Sequence, residues 1–366
     1  MAGKLFEPWR VGEIELTNRV AMAPMTRNRA GRDGVPTEAM ARYYAQRAGA
    51  GLIITEGTQP SSTGKGYPGT PGIHDHAQQS GWANVAAAVH DAGGRIVCQL
   101  MHTGRMSHPL TQPNGRLPVA PSAVRPAGQI DTDSCGPQPL VDPRALDLSE
   151  LGGIASDFAD AAERAVAAGL DGIELHAANG YLLHQFLATN TNLRTDAYGG
   201  SPAGRSRFVV EVAKAVAQRI GAGRVGIRIS PGGRFNDIVE DDPVQIYSDL
   251  IPRLASLDLA YLHTVRRRSF SLDDVVRGNW AGTVIVNSGF GHNSELEYAE
   301  PLVRDGIADM VSVGRLFISN PDLLERWRRG LPRAQWDEST FYTPGEQGLT
   351  DYPTAAQPAT LRGLQP

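Results

Sequence analysis

The chain has 366 residues, 41% of them apolar, which suffices for one large α/β barrel or two ordinary domains. A formal net charge of −4 supplies no basic field to attract nucleic acid or an anionic membrane surface. Two cysteines, Cys98 and Cys135, cannot build a disulfide framework and read as free thiols of a reducing compartment.

The opening MAGKLFEPW has no apolar run, so a signal peptide is not expected. No stretch approaches the roughly 18 apolar residues of a membrane span. The expectation is a soluble cytoplasmic protein.

In chain order, WRVGEIEL (9–16) reads as a hairpin plugging the bottom of a barrel. RVAMAPM (19–25) and GLIITEG (51–57) are the first two of eight apolar, β-branched runs. A helix is predicted over 77–92, where Trp82, Val85 and Val89 share a face and Gly93 follows. RIVCQL (95–100) is the third run. Residues 102–147, with eight prolines, then interrupt the alternation and read as an excursion over the barrel mouth. A helix over 149–169 follows from Leu151, Ile154, Phe158, Ala162 and Ala165, with Ser149 as its cap and Gly169 as its end. GIELH (172–176) is the fourth run, and Phe208, Val212 and Val216 mark a helix over 204–220. VGIRIS (225–230), YLHTV (261–265), TVIVNSG (283–289) and MVSVGR (310–315) complete the eight, and the tail from 331 is expected to wrap back onto the barrel.

Continuous apolar runs suit strands buried on both faces, as in a parallel sheet. Eight of them alternating with helices predict an α/β fold, a closed (β/α)8 TIM barrel forming a single domain over 1–366. The alternative is an open, doubly wound sheet; the chain has no P-loop to favour it.

In such a barrel the chemistry lies at the C-terminal ends of the strands. There the chain presents Pro24-Met25-Thr26, Glu56-Gly57-Thr58, Gln99 with His102 and Arg105, Arg228, Asn287-Ser288-Gly289 and Gly314-Arg315. The fourth strand end is the richest: His176, Asn179 and Tyr181 follow one another as H-x-x-N-x-Y. His and Asn can donate to one carbonyl or nitro oxygen, and a tyrosine beside them can act as a general acid. Each residue alone would read as core or turn. Loops after strands seven and eight often hold a phosphate, and NSGFG with Gly314-Arg315 offers close-approach glycines and a cation; tight turns alone are the other reading. Gln99 and Arg228, if they point inward, need partners: a flat heteroaromatic ring, or an ion pair within the barrel. His74 and His76 lack acidic or cysteine partners at metal spacing, so a surface loop and no metal site are read. Arg266, Arg267 and Arg268 read as a solvated charge run able to meet an anionic cofactor tail. Cys98, inside an apolar strand, reads as inert packing.

LTNRVAMAPMTR, GAGLIITEGT, GYPGTPGI, CQLMHTGR, GIELHAANGYLLHQFL, RTDAYGGS, GIRISP, VSVGRLFISNPDL and FYTPGEQGLTDYP occur in this order. On these strings the chain, from about residue 4 to 353, resembles the Old Yellow Enzyme family of flavin-dependent ene-reductases. The resemblance implies FMN on a (β/α)8 barrel, reduced by NADPH or NADH, and hydride transfer to the β-carbon of an activated alkene. It implies that Ala23, Pro24, Met25, Thr26, Gly57, Gln99 and Arg228 surround the flavin, with Ser288, Gly289, Gly314 and Arg315 around its phosphate. His176 and Asn179 would bind the substrate oxygen, Tyr181 would protonate the α-carbon, and Tyr67, Met101 and Tyr342 would line the substrate space. Thr26 resembles a threonine subgroup, where other relatives carry cysteine. Met101 stands where many relatives have tryptophan, and Gly204 where asparagine is frequent. The partner expected is a small activated alkene or nitro compound, the assembly a monomer or homodimer. Reductive cleavage of nitrate esters or nitroaromatics by the same residues, and flavin binding without turnover, are the alternatives.

Overall fold

The computed structural model describes residues 3–267, 270–289 and 294–356. Arg268 of the arginine run, Gly291 of NSGFG and the tail beyond 356 lie outside the described residues.

Strands β1 (Trp9–Val11) and β2 (Ile14–Leu16) pair antiparallel as the N-terminal hairpin. Eight further strands close a barrel: β3 (Val20–Met22), β4 (Leu52–Ile54), β5 (Ile96–Leu100), β10 (Gly172–Ala177), β11 (Val225–Ile229), β12 (Tyr261–Val265), β13 (Thr283–Asn287) and β14 (Met310–Val313). Every neighbouring pair is parallel, and β14 pairs β3 to complete the ring. All eight runs read from the sequence are therefore strands of one barrel. The reason is burial on both faces. Side chains such as Ile53, Ile173 and Ile227 pack outward against the helices, while Leu52, Val97 and Ile285 pack inward on Val11, Ile14 and Leu16 of the hairpin. The hairpin thus stoppers the N-terminal end, leaving the C-terminal end for chemistry.

The helices fall close to their predicted spans, at His76–Asp91, Leu148–Ala167 and Pro202–Ile220. Ser149 is not the cap of the second. Asp147 takes that place in a capping box with Glu150, because an Asp two residues earlier meets the free N–H groups of the first turn. Gly204, in the first turn of the third helix, is required by close approach: a Cβ there would lie 2.2 Å from the carbonyl oxygen of Gly199. Asp75, between the two histidines of the H-x-H pair, caps the first helix by accepting from the Gln78 N–H. No described helix is long and apolar enough to cross a membrane.

The excursion after β5 carries its own small strands. β6 (Val119–Ala120) pairs with β9 (Arg144–Ala145), and β7 (Gln129–Thr132) forms a hairpin with β8 (Gly136–Pro139). Ile130 and Leu140 of that hairpin pack with Met101, Met106 and Tyr181. The hairpin thereby walls one side of the barrel mouth.

Residues 340–353 are held down by buried arginines. Arg27 donates to the carbonyl of Gly348 at 2.8 Å, Arg29 to those of Phe341 and Thr340 at 2.6 and 2.8 Å, and Arg326 to that of Pro353 at 3.0 Å. Arginine suits this task, since one planar fork satisfies several carbonyls that would otherwise be buried unpaired. The result places Phe341 and Tyr342 over the mouth.

Candidate active site

A cleft of about 1230 Å³, including the space at its opening, lies at the C-terminal end of the barrel. Ala23 to Thr26 after β3, Gly57 after β4, Gln99 and Met101 on and after β5, and Arg228 on β11 line its floor and one side. His176, Asn179 and Tyr181 enter from β10 and the turn that follows. Ser288, Gly289, Gly314 and Arg315 come from the ends of β13 and β14, and Tyr342 from the C-terminal segment. The structure thus gathers every residue that the resemblance assigned to the site except Tyr67; Glu56, Thr58, His102 and Arg105, also read at strand ends, do not line the cleft. Tyr67 stands one step back, its hydroxyl 3.2 Å from that of Tyr181.

The turn after β10 is built to present polar groups. Asn179 adopts a left-handed conformation (φ 56°), which asparagine tolerates better than most residues, and Gly180 follows at φ 77°. The Asn179 N–H donates to Ser230 Oγ at 2.9 Å, and its carbonyl accepts from Asn236 Nδ2 at 2.9 Å. The Gly180 N–H donates to His184 Nδ1 at 3.0 Å, and His184 Nε2 in turn meets Glu240 Oε1 at 3.1 Å. With its backbone so tied, the Asn179 side chain is free for the cleft.

His176 is buried, and its ring is held neutral: burial, then the nearby Arg228 guanidinium, pushes its pKa well below the ordinary histidine value. A neutral imidazole can donate one hydrogen bond into the cleft without carrying charge. Burial raises the Tyr181 phenol, against the lowering effect of its bond with Tyr67. The Tyr181 hydroxyl therefore keeps its proton at neutral pH, as a general acid must.

Beneath these groups runs a chain of buried polar side chains. Arg228 Nη2 faces Asn287 Oδ1 at 3.5 Å, and Asn287 Nδ2 donates to Ser312 Oγ at 2.9 Å. Ser312 Oγ meets His263 Nε2 at 2.8 Å, and His263 Nδ1 meets Glu174 Oε2 at 2.8 Å. Glu174 Oε1 accepts from Gln99 Nε2 at 2.7 Å. Burial by itself would raise the Glu174 carboxyl, but His263, Arg228 and Gln99 outweigh it and hold the group below its usual value. Glu174 is accordingly a carboxylate. Burial lowers His263, so its ring is neutral.

Glu174, His263 and Ser312 were not singled out from the sequence. The available signal was a charged or polar residue inside otherwise apolar strands, GIELH and YLHTV, at a position alternating with core residues. The ion-pair reading of Gln99 and Arg228 is refined accordingly. The barrel does hold a buried carboxylate, but Gln99 bonds it directly, while Arg228 acts on it through charge and is joined to it by hydrogen bonds through Asn287, Ser312 and His263. Phe235, Ser294 and Phe341 also line the cleft and had no signal in the sequence. Arg266 and Arg267 are not a solvated run: Arg266 pairs with Asp273 at 2.9 Å and Arg267 donates to the Gly232 carbonyl at 2.8 Å. Cys98 is buried in β5, its thiol pushed up to about 12 by burial.

The floor fits a flat ring with both donors and acceptors on its edge. Among the described residues, Arg228 Nε is buried with no partner, and Gln99 Oε1, in the cleft, accepts no bond. The exposed guanidinium of Arg315 and the left-handed Gly289 (φ 76°), between the ends of β13 and β14, fit an anionic group at the far end.

Comparison with known proteins gives the same direction. The family described as "NADH:flavin oxidoreductase / NADH oxidase family" matches residues 4–334. The chain is 42% identical to 12-oxophytodienoate reductase 7 of Oryza sativa subsp. japonica, over 97% of this chain and 95% of that protein. It is 41% identical to a probable flavin mononucleotide-dependent alkene reductase of Leishmania infantum, over 95% and 97%. Among solved structures it superposes on morphinone reductase with a TM-score of 0.92 at 42% identity, covering 99% of each chain. The Old Yellow Enzyme homologue of Zymomonas mobilis gives 0.91 at 40% identity, covering 95% and 99%. A barrel of this topology, with this cleft and these relatives, makes the chain a member of the FMN-dependent NADH:flavin oxidoreductases, the Old Yellow Enzyme family.

Proposed function

We propose that this protein is an ene-reductase that binds FMN in the cleft and reduces the C=C bond of α,β-unsaturated carbonyl, imide or nitro compounds. The observation that carries the reading is the meeting of a neutral, buried His176, a backbone-locked Asn179 and a protonated Tyr181 on one side of a cleft whose floor leaves Arg228 Nε without a partner among the described residues.

Bound FMN, reduced by NADPH or NADH, would supply the hydride. The protein does the rest. Gln99, Arg228 and Thr26 would hold the ring, with Ala23, Pro24, Met25 and Gly57 lining the space along it. Ser288, Gly289, Gly314 and Arg315 would hold the phosphate. His176 and Asn179 donate to the carbonyl or nitro oxygen of the substrate. Both bonds strengthen as that oxygen gains charge, so they lower the barrier rather than merely bind. Tyr181 delivers the proton to the α-carbon. Met101 and Tyr342 shape the space for the rest of the substrate, and Tyr67 backs Tyr181 from behind. A solved relative, morphinone reductase, carries tetrahydroNAD, which supports a nicotinamide as reductant. We assign NADPH or NADH as that reductant, the threonine-type subgroup by Thr26, and a cytoplasmic setting.

The test is an anaerobic visible spectrum of the purified protein, first with NADPH and then with 2-cyclohexenone. A yellow protein that bleaches and then recovers its colour is the expected result. Bleaching without recovery would remove the enone reaction. A colourless protein that does not take up FMN would remove the flavin itself.

A further inference from the structure

Gln99 and Arg228 line the same cleft floor from β5 and β11, with β10 between them. The two are joined beneath the floor by the chain of four buried side chains described above. Its polarity can be worked out from one end to the other. Glu174 is ionised and can only accept. Gln99 therefore turns its NH₂ to Glu174 Oε1, and its carbonyl oxygen is left for the cleft. His263 likewise turns its Nδ1–H to Glu174 Oε2. In the neutral ring Nε2 must then accept, so Ser312 Oγ–H donates to it. Ser312 Oγ accepts from Asn287 Nδ2, which leaves Asn287 Oδ1 to receive Arg228 Nη2. Every proton in the chain has one place to be, and the direction is set by one carboxylate.

We infer that Glu174 is a positioning residue for the cofactor site. Through Gln99 and through His263, Ser312 and Asn287, it fixes an acceptor at Gln99 and donors at Arg228 on the cleft floor. This inference rests on the FMN reading above. An edge on which an N–H lies beside C=O groups is what such a floor recognises, and the ring of FMN has one. A side-chain amide at Gln99 without this constraint would occupy two orientations related by a flip, one of which opposes donor to donor. Glu174 has a second effect. Its negative charge opposes the positive charge of Arg228 close to the ring, so it limits how far Arg228 favours an anionic reduced flavin.

The experiment uses apoprotein titrated with FMN by fluorescence, and the reduction potential of the reconstituted protein by dye equilibration. Glu174→Gln is expected to weaken FMN binding by roughly tenfold or more, the loss of about one buried, charge-assisted hydrogen bond. It is also expected to move the potential to more positive values, since Arg228 is then unopposed. Glu174→Asp keeps the charge but shortens the reach to Gln99; it should weaken binding while moving the potential much less. Because one of its two routes runs through Gln99, the double variant Gln99→Met with Glu174→Gln is expected to lose less affinity than the sum of the two single losses. Should Glu174→Gln fail to fold, Ser312→Ala breaks the chain without changing charge and should still weaken binding several-fold. Unchanged affinity and potential in Glu174→Gln, or strictly additive losses in the double variant, would overturn the inference. Wild-type apoprotein that takes up no FMN would instead overturn the flavin reading on which it rests.

Discussion

The hydroxyls of Tyr181 and Tyr67 lie 3.2 Å apart, their rings meeting edge to face at 6.4 Å. The contact holds Tyr181 in one rotamer while burial keeps its proton in place. Tyr181→Phe should therefore slow the alkene-reducing half-reaction by roughly 10²- to 10⁴-fold, the usual range for a positioned general acid. Flavin reduction by the nicotinamide, which needs no proton from Tyr181, should remain nearly intact. Stopped-flow measurement of the two half-reactions separates these outcomes; equal losses in both would remove the assignment.

His176 and Asn179 are expected to bind a phenolate much as they bind the oxygen of a developing enolate. Replacing both by alanine removes two donors from a buried site, each contributing about 1–3 kcal/mol. Phenol affinity, followed by the long-wavelength absorbance of its complex with the flavin, should fall by at least roughly tenfold. Because burial and Arg228 keep His176 neutral well below the ordinary histidine range, wild-type phenolate binding should show no histidine titration between pH 6 and 8. A midpoint in that window assignable to His176 would contradict the neutral ring.

Glu56 gives the protein a pH-dependent stability. Its carboxyl, behind Gly57, accepts from the Arg27 N–H at 3.1 Å and from the Tyr44 hydroxyl at 3.3 Å. Burial pushes it from 4.5 up to about 7, against the lowering effect of those partners. The folded state thus favours the protonated form. Its contribution is present in full below about pH 4.5, declines as pH rises towards 7, and is lost above that. The gap corresponds to about 3 kcal/mol. Glu56→Gln keeps an acceptor and cannot ionise, so its denaturant midpoint should gain on the wild type between pH 5 and 7.5. Parallel pH profiles for the two proteins would remove Glu56 as the source.

Arg29 ties the C-terminal segment to the barrel, donating to the carbonyls of Thr340, Phe341, Gly345 and Gln347. Arg29→Met leaves several of these acceptors unsatisfied, at about 1–3 kcal/mol each. The expected result is early proteolytic cleavage near 340–350 and a raised KM, since Phe341 and Tyr342 lose their place over the cleft. Cleavage no faster than in the wild type would show that the segment is held by other contacts.

The barrel was readable in the sequence because a strand buried on both faces must be apolar along its whole length, and eight such runs are hard to mistake. The site was readable in outline for a related reason. A closed barrel fixes which strand ends share one mouth, so chain order alone groups His176, Asn179 and Tyr181 with Gln99, Arg228 and Arg315. What the order of residues could not tell was who partners whom inside. Glu174 and Gln99 are 75 residues apart, and His263 is 89 from Glu174. Their pairing depends on the register between neighbouring strands, which a sequence does not state. The same holds for Glu56 and Arg27, and for the arginines that fasten the C-terminal segment. Composition determined that a barrel forms and which end is reactive; the tertiary structure alone decided which buried charges meet, because only the closed sheet brings distant strands within hydrogen-bonding reach.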